Sequence, residues 1–519
     1  MPTPSAPQLQ RSRRVLQTGL SAETPPPALV LTIILAVTFL TRFYWFGDPV
    51  ADYDEQLYSL IGSKMLEGQL PFVDLWDRKP FGLFVLFAFA HWISGPGPIA
   101  YQLLAVLFAA IGAWLIYKLA ARLVDGTTAL IAATLYLVML PMYAVHSAQS
   151  EVFHVLLMIG MVCLLKTKKG HLGVFPAAGA MLLGGLALQV KYTVFPQCFF
   201  LGGYALWRFY RQGMPIKQIC LMAFQFAFLG LLPTLLVFAF YLLIGQSEAY
   251  IFANFLSFFN RTPAGFWNQN VFACWFPIAL LVIPGLLWAR RLQDTDGLYP
   301  LVFGWFISCI ITAYLSGTTY FFYFAALIPP ALLLSLPMLN RKGPFGLVPA
   351  LLILLILTSQ SQIPTRAAPV GTEKKTIREL AAAIRPHIGK NENCLFVYDG
   401  PTALYQLTNS CLPTPIIYPD LLNNRLESRS LGIDQTEEIT RILTDSPGAI
   451  VTADIPVTPH DPKSDALVSS AIDKHYRLAA RGRIKHRIIS AWIRKGPRTT
   501  PSARGEIARS TRDTDQHPQ

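Results

Sequence analysis

The sequence predicts an α-helical polytopic membrane protein: about eleven transmembrane helices, one short re-entrant or interfacial helix, and a small C-terminal α/β domain outside the cytoplasm. Three observations carry this. The 519-residue chain is 53% hydrophobic and only 14% charged, against roughly 25% charged for an ordinary soluble domain. Apolar runs of about 20 residues recur from position 28 to about 360, each long enough for a hydrocarbon core of about 30 Å. Beyond that point Lys, Arg, Asp, Glu, Asn and Pro become frequent. The expected divisions are therefore a cytoplasmic tail over 1–27, a membrane domain over 28–360, a soluble domain over 361–495 and a disordered basic tail over 496–519.

The first apolar run, Ala28 to Phe46, follows Arg11, Arg13 and Arg14, is too long for a signal-peptide core and lacks a small-residue cleavage site. It reads as an uncleaved span that starts inside. The loop 47–80 is then outside, and the positive-inside rule tests every later span. Counting Phe81 to Ser94 as a full crossing would put Lys118, Arg122, Lys166, Lys168 and Lys169 outside. Its 14 residues suit a re-entrant or interfacial helix instead, which returns those cations to the cytoplasm. Spans then follow at about 98–117, 128–145, 152–165, 173–190, 194–207, 218–244, 271–289, 299–316, 322–339 and 345–359. The soluble domain falls on the same side as the loop 47–80.

In that domain Cys394 to Tyr398 and Gly448 to Thr452 have strand character, and Asp434 to Leu443 has a charged helical pattern. Of seven cysteines only Cys394 and Cys411 lie there, either as a disulfide or as two thiols. No Cys/His spacing suggests zinc. The net charge of +13 sits in cytoplasmic turns and in a loose tail from Arg477 to Arg512, so it speaks for orientation and not for nucleic acid.

The acids are not spread evenly. Of thirteen Asp and Glu through residue 362, seven fall between 47 and 80. After Asp52, Asp54 and Glu55, the stretch Gln56 to Gln69 puts Leu57, Ile61 and Met65 on one face, as a helix lying on the membrane surface would. Asp77-Arg78-Lys79-Pro80 then sets two cations at the interface, where they either meet a lipid phosphate or snorkel to headgroups. Arg42, Glu151 and Lys191 stand at outer ends of spans, as functional charges or as anchors and helix-start acids. Tyr320 to Tyr323 reads as an aromatic belt.

Asp54-Glu55-x-x-Tyr58, Gly68 with Leu70-Pro71, Asp74-x-x-Asp77-x-Lys79-Pro80, Glu151, Lys191-Tyr192, and Tyr323 with Pro329 together resemble the integral-membrane GT-C glycosyltransferases. The chain is most similar to the dolichyl-phosphate-mannose protein mannosyltransferase-like and polyprenyl-phosphate sugar transferases, including the lipopolysaccharide galacturonosyltransferase and aminoarabinose transferase branches. The resemblance covers about residues 28–360. It implies inverting transfer of a sugar from a polyprenyl-phosphate donor to a lipid, glycan or protein acceptor, among membrane lipids and without nucleic acid. Asp54 would be the base, with Glu55 or Asp52 orienting the acceptor or a metal. Lys79, with Arg78, Lys191 or Arg42, would neutralise the departing phosphate, and Asp77, Glu151, Tyr58, Tyr192 and Tyr323 would complete the substrate site. Asp52-Tyr53-Asp54 has the Asp-x-Asp form that some members use for a divalent cation. Two other classes also fit many spans with few charges: a transporter, expected to place its charges near the midplane, and a noncatalytic binder of the carrier lipid.

Overall fold

A computed structural model describes residues 25–166, 171–264, 270–292, 294, 297–361 and 363–495. The expected disordered tail 496–519 and nearly all of the expected cytoplasmic tail lie outside them. Each of the eleven expected spans falls on a helix. These are α1 (Pro27–Leu40), α4 (Pro98–Ala120), α5 (Gly126–Met142), α6 (Ser150–Leu165), α7 (Val174–Leu188) and α8 (Phe195–Arg211). After them come α9 (Ile216–Leu243), α10 (Val271–Leu287), α11 (Leu298–Tyr314), α12 (Ile328–Leu339) and α13 (Val348–Ser361). Pro98–Ala120, Ile216–Leu243, Phe321–Leu339 and the run Val348–His387 are each long and apolar enough to cross a membrane, and shorter apolar helices accompany them. The outward face of α9, with Phe224, Phe228 and Leu235 exposed, is apolar as lipid contact demands.

Between α1 and α4 lie the two helices on which the site depends, α2 (Tyr53–Leu66) and α3 (Phe81–Ser94). α2 starts three residues before the sequence reading placed it because Asp52 caps it, accepting the Asp54 N–H at 3.0 Å. The two helices cross closely at Gly62, where an added Cβ would sit 2.8 Å from the Ala88 nitrogen. Gly47, past the end of α1, donates to Gln102 at the start of α4 at 2.8 Å. Lys79, before α3, meets Asp54 at the head of α2. Both ends of α3 therefore lie at the same end of the bundle, as the interfacial reading requires. At the opposite end Arg341 pairs with Asp125 at 2.8 Å, among the turns that hold Lys118 and Arg208.

The C-terminal domain adds α14 (Val370–Ile384), β1 (Leu395–Val397), α15 (Ala403–Thr408), α16 (Gln435–Thr444), β2 (Ala449–Ala453), α17 (Pro462–His475), β3 (Tyr476–Ile484) and β4 (Arg487–Arg494). Its sheet has the order β1-β2-β4-β3, with β1 parallel to β2 and the other pairs antiparallel. Cys394 and Cys411 form a disulfide beside β1. The loose tail expected from Arg477 is corrected here: through Arg494 it is the β3–β4 hairpin. Arg477, Arg481 and Arg483 project outward while Ile489, Ala491 and Ile493 of the partner strand fill the core. A charge count hides that alternation.

The domain sits directly on α2 and the first loop. Gln406 bonds Ser59 and Ser63, Ala403 N–H donates to Gln56, and Trp76 N–H donates to Pro415 O. Glu427, 2% exposed, receives Arg78 through both guanidinium nitrogens at 3.2 and 2.6 Å and Arg261 at 2.7 Å. Removing one partner of a buried ionic group leaves the others unsatisfied. Glu427→Ala is therefore expected to lower stability by about 3–5 kcal/mol, read as an earlier thermal unfolding transition in detergent, with Arg78→Met milder because Arg261 still serves Glu427.

Candidate active site

Asp54 and Glu55 adjoin in sequence, so on a helix of 3.6 residues per turn they point about 100° apart. The divergence assigns them different surroundings. Asp54 opens onto a cavity of about 350 Å³ between the membrane helices and the C-terminal domain. Its Oδ2 accepts from Tyr58 at 3.2 Å and from Gln149 at 3.3 Å and lies 3.8 Å from Lys79 Nζ; its Oδ1 accepts from Tyr418 at 3.2 Å. Tyr58 comes one helical turn later, which is the spacing that lets it reach back.

Glu55 does not enter the cavity. It is fully buried and its Oε2 accepts the Ala148 N–H at 2.8 Å, fixing the loop before α6. Burial, with the nearby Asp52 charge, pushes its carboxyl up to about 8. Asp52 lines the cavity edge but is spent on capping α2 and on Gln149, at 3.3 Å. Burial and the Asp54 charge raise it to about 6.

Lys79 is presented by the turn before α3. Asp77 shapes that turn by accepting the Arg78 and Lys79 N–H groups at 2.5 and 3.2 Å, and Pro80 then caps the helix. Burial opposes the Lys79 charge, but Asp54, Tyr323 and Asp77 outweigh it and hold the ammonium above the ordinary lysine value. Arg78 lines the cavity while committed to Glu427. Lys191 forms a buried ion pair with Glu151 and stacks 3.8 Å over the Tyr323 ring. Tyr192 donates to Asn254 at 2.9 Å. Arg42 is not brought to the site: 1% exposed, it donates to Val145 O at 3.1 Å and braces α1 against the loop after α5.

Gln149, Arg261 and Tyr418 escaped the sequence reading, and Tyr320 was read only as part of an aromatic belt. Gln149, in the Ser147-Ala-Gln-Ser150 stretch, bridges Asp52 and Asp54. Arg261 and Tyr320 bond each other at 3.1 Å on the far rim, and an isolated cation beside an outer span was the available signal for the first. Tyr418 reaches Asp54 from the C-terminal domain, and nothing local in the sequence announces that.

The donor set also bears on a divalent cation. Among the described residues no group of three or more Asp, Glu, His or Cys side chains converges. Around Asp54 stand two phenols, an amide NH₂ and an ammonium, all of which seek an acceptor and compete with a metal for the carboxylate. Asp52 and Asp54 as placed do not fit such an ion.

Residues 78–238 match the family model described as dolichyl-phosphate-mannose-protein mannosyltransferase. No curated protein matches this sequence. The fold is similar to a crystal structure of ArnT from Cupriavidus metallidurans bound to undecaprenyl phosphate, with TM-score 0.61 and 15% identity over 89% of this chain and 97% of that one. The apo structure of ArnT gives TM-score 0.54 and 13% identity over the same shares.

Glu55 supplies a test of the buried carboxyl. A carboxyl raised from about 4.5 in the unfolded chain to about 8 in the folded one keeps its proton only when folded, so its favourable contribution is full below pH 4.5 and is lost as pH rises toward 8. Glu55→Gln, whose amide oxygen still accepts from Ala148, is expected to raise the Tm relative to the parent at pH 8, with the difference shrinking toward pH 5; thermal scans at both pH values check it. The chain has the fold of the ArnT structures, and the family match begins at Arg78, at the turn that presents Lys79.

Proposed function

We propose that this protein is an inverting glycosyltransferase that moves a hexosyl or pentosyl unit from a polyprenyl-phosphate carrier to a hydroxyl or amine acceptor on the extracytoplasmic face. The observation that carries this reading is Lys79 Nζ 3.8 Å from Asp54 Oδ2 in one cavity at the membrane-interface end of the bundle. A phosphate arriving on its lipid tail takes Lys79 as counter-ion, with Arg261, Tyr320 and the Lys191–Glu151 pair around it. Asp54 is then left with neutral donors.

The acceptor hydroxyl attacks the anomeric carbon from the face opposite the phosphate. One carbon–oxygen bond forms while the bond to the phosphate oxygen breaks, which inverts that carbon. The acceptor proton passes to Asp54, and the bond's electron pair leaves on the phosphate, where Lys79 meets the growing charge. A phosphate leaves as a stable anion, so the step needs a base and a cation but no carboxylic acid. Gln149, Tyr58 and Tyr418 hold the base in place.

Transport is the weaker reading because the clustered ionisable groups stand at one end of the bundle and not at mid-depth. A noncatalytic lipid binder would keep Lys79 and have no need of Asp54. With reconstituted protein and a synthetic polyprenyl-phosphate sugar, Asp54→Asn is expected to retain donor binding and lose about 10²–10⁴-fold in turnover. Lys79→Met should weaken the donor as well. Full turnover by well-folded Asp54→Asn would overturn the catalytic reading.

A further inference from the structure

The cavity has two chemically different walls. The membrane helices and their loops contribute Lys79, Lys191, Arg261 and Tyr323 together with Asp52, Asp54 and Asp77; Lys191 is paired with Glu151 and Arg261 with Glu427, so Lys79 beside Asp54 is the cation nearest the base. The C-terminal domain contributes Asp399, Asp420, Asn423, Thr458 and His460. On that second wall the cation is consumed: Arg487, 2% exposed, pairs with Asp399 and donates to Ile455 O at 2.6 Å. Asp420 accepts from the Thr458 hydroxyl and makes no ion pair among the described residues.

Asn423 adds an independent sign. It is 2% exposed and donates Nδ2 to Tyr398 O at 2.9 Å, yet its buried Oδ1 has no hydrogen-bond partner. An unmatched buried acceptor is unfavourable unless something supplies a donor. Tyr418, Asp420 and Asn423 belong to one short segment around Pro419–Leu422, so the residue that reaches Asp54 and the unmatched acceptor are carried together.

We infer that this wall is the acceptor subsite and that it takes a neutral, polyhydroxylated sugar unit, so that transfer extends a glycan. The inference rests on the glycosyltransferase reading. The anionic donor belongs beside Lys79, which leaves the wall of the C-terminal domain for the acceptor. A sugar ring presents several O–H donors within a few ångströms, matching the Asn423 oxygen, the Asp420 carboxylate and the Thr458 hydroxyl in turn. A phosphorylated acceptor would face an unpaired carboxylate and an arginine already engaged. An extended peptide would call for a strand edge; β1, whose following Asp399 and Gly400 line the cavity, offers three residues, and the longer edge strand β3 contributes none to the lining. At about 350 Å³ the cavity lies at the small end of the usual range of about 300–1,000 Å³ for small-molecule sites, which suits one or two rings.

The test uses full-length protein in nanodiscs and two separate binding measurements. In the first, polyprenyl phosphate is titrated into the parent, Lys79→Met, Asn423→Ala and Thr458→Val. In the second, saturation-transfer NMR reads binding of neutral methyl glycosides, a methyl glycoside phosphate and a threonine-containing hexapeptide. The expected result is a signal from neutral glycosides above the other two probes, weakened about tenfold in affinity by Asn423→Ala and comparably by Thr458→Val, which keeps the volume but loses the hydroxyl. Polyprenyl phosphate affinity should hold in both variants and fall in Lys79→Met. Preference for the peptide or the phosphorylated glycoside, or glycoside binding indifferent to both wall variants, overturns the inference while leaving the donor site standing. Failure of the parent to bind polyprenyl phosphate overturns the function reading instead.

Discussion

Glu427 is an ionic link between two parts of the chain that also meet through Gln406, Ala403 and Tyr418. Arg78 arrives from the turn that presents Lys79, Arg261 from the loop after α9, and the carboxylate between them from the C-terminal domain. The triad adds to the Gln406 and Ala403 contacts that seat the domain on α2, and the domain lines one side of the cavity. A polar link of this kind is costly to desolvate and becomes favourable only when every lone pair is used, which here includes the Ser430 hydroxyl on Glu427 at 2.6 Å. Glu427 stays ionised for that reason: burial alone would raise it, but Arg78 and Arg261 draw it below the ordinary carboxylate value. The same contact also occupies Arg78, leaving Lys79 as the residue of that pair that points at Asp54.

The bilayer explains why the chemistry gathers at one end. Charges and irregular backbone are tolerated in hydrocarbon only when buried in protein or facing water. A site at the end of the bundle avoids most of that cost, as the lipid-linked donor proposed above would require. α2 and α3 both serve this arrangement. Lying at the bundle end, they carry Asp54 and Lys79 on facing termini, and their close crossing at Gly62 sets the separation between the two.

Much of this was legible in the sequence because it rests on local rules. Span positions follow from run length and from where Lys and Arg fall, and α3 was found with its observed limits because full crossing would have misplaced five cations. Asp54 and Lys79 were found because charge crowds the first loop, Tyr58 through the resemblance alone, and Glu151 and Lys191 because charge at a span end needs a reason. Arg42 met the same criterion and is a brace instead. Sequence cannot tell a buried structural arginine from a substrate-facing one, since the difference lies in whether Val145 O happens to be within reach. Tyr418, Glu427 and the β3–β4 hairpin were missed for the converse reason. Their significance comes from contacts hundreds of residues away, or from an alternation that an excess of arginine masks.

The division of labour among Asp52, Asp54 and Glu55 illustrates how helix geometry resolves what composition leaves open. All three acids sit within four residues, and any could be named the base from sequence. Once Asp52 becomes the cap of α2, its carboxylate is committed to the Asp54 N–H and to Gln149. The helix it starts then turns Asp54 and Glu55 about 100° apart, one toward the cavity and the other into the protein. Glu55 holds Ala148, Ala148 precedes Gln149, and Gln149 returns to both aspartates. The buried acid and the cap thus act on Asp54 through the same loop, and Asp54 is the acid of the three that meets Tyr58, Tyr418 and Lys79 at the cavity.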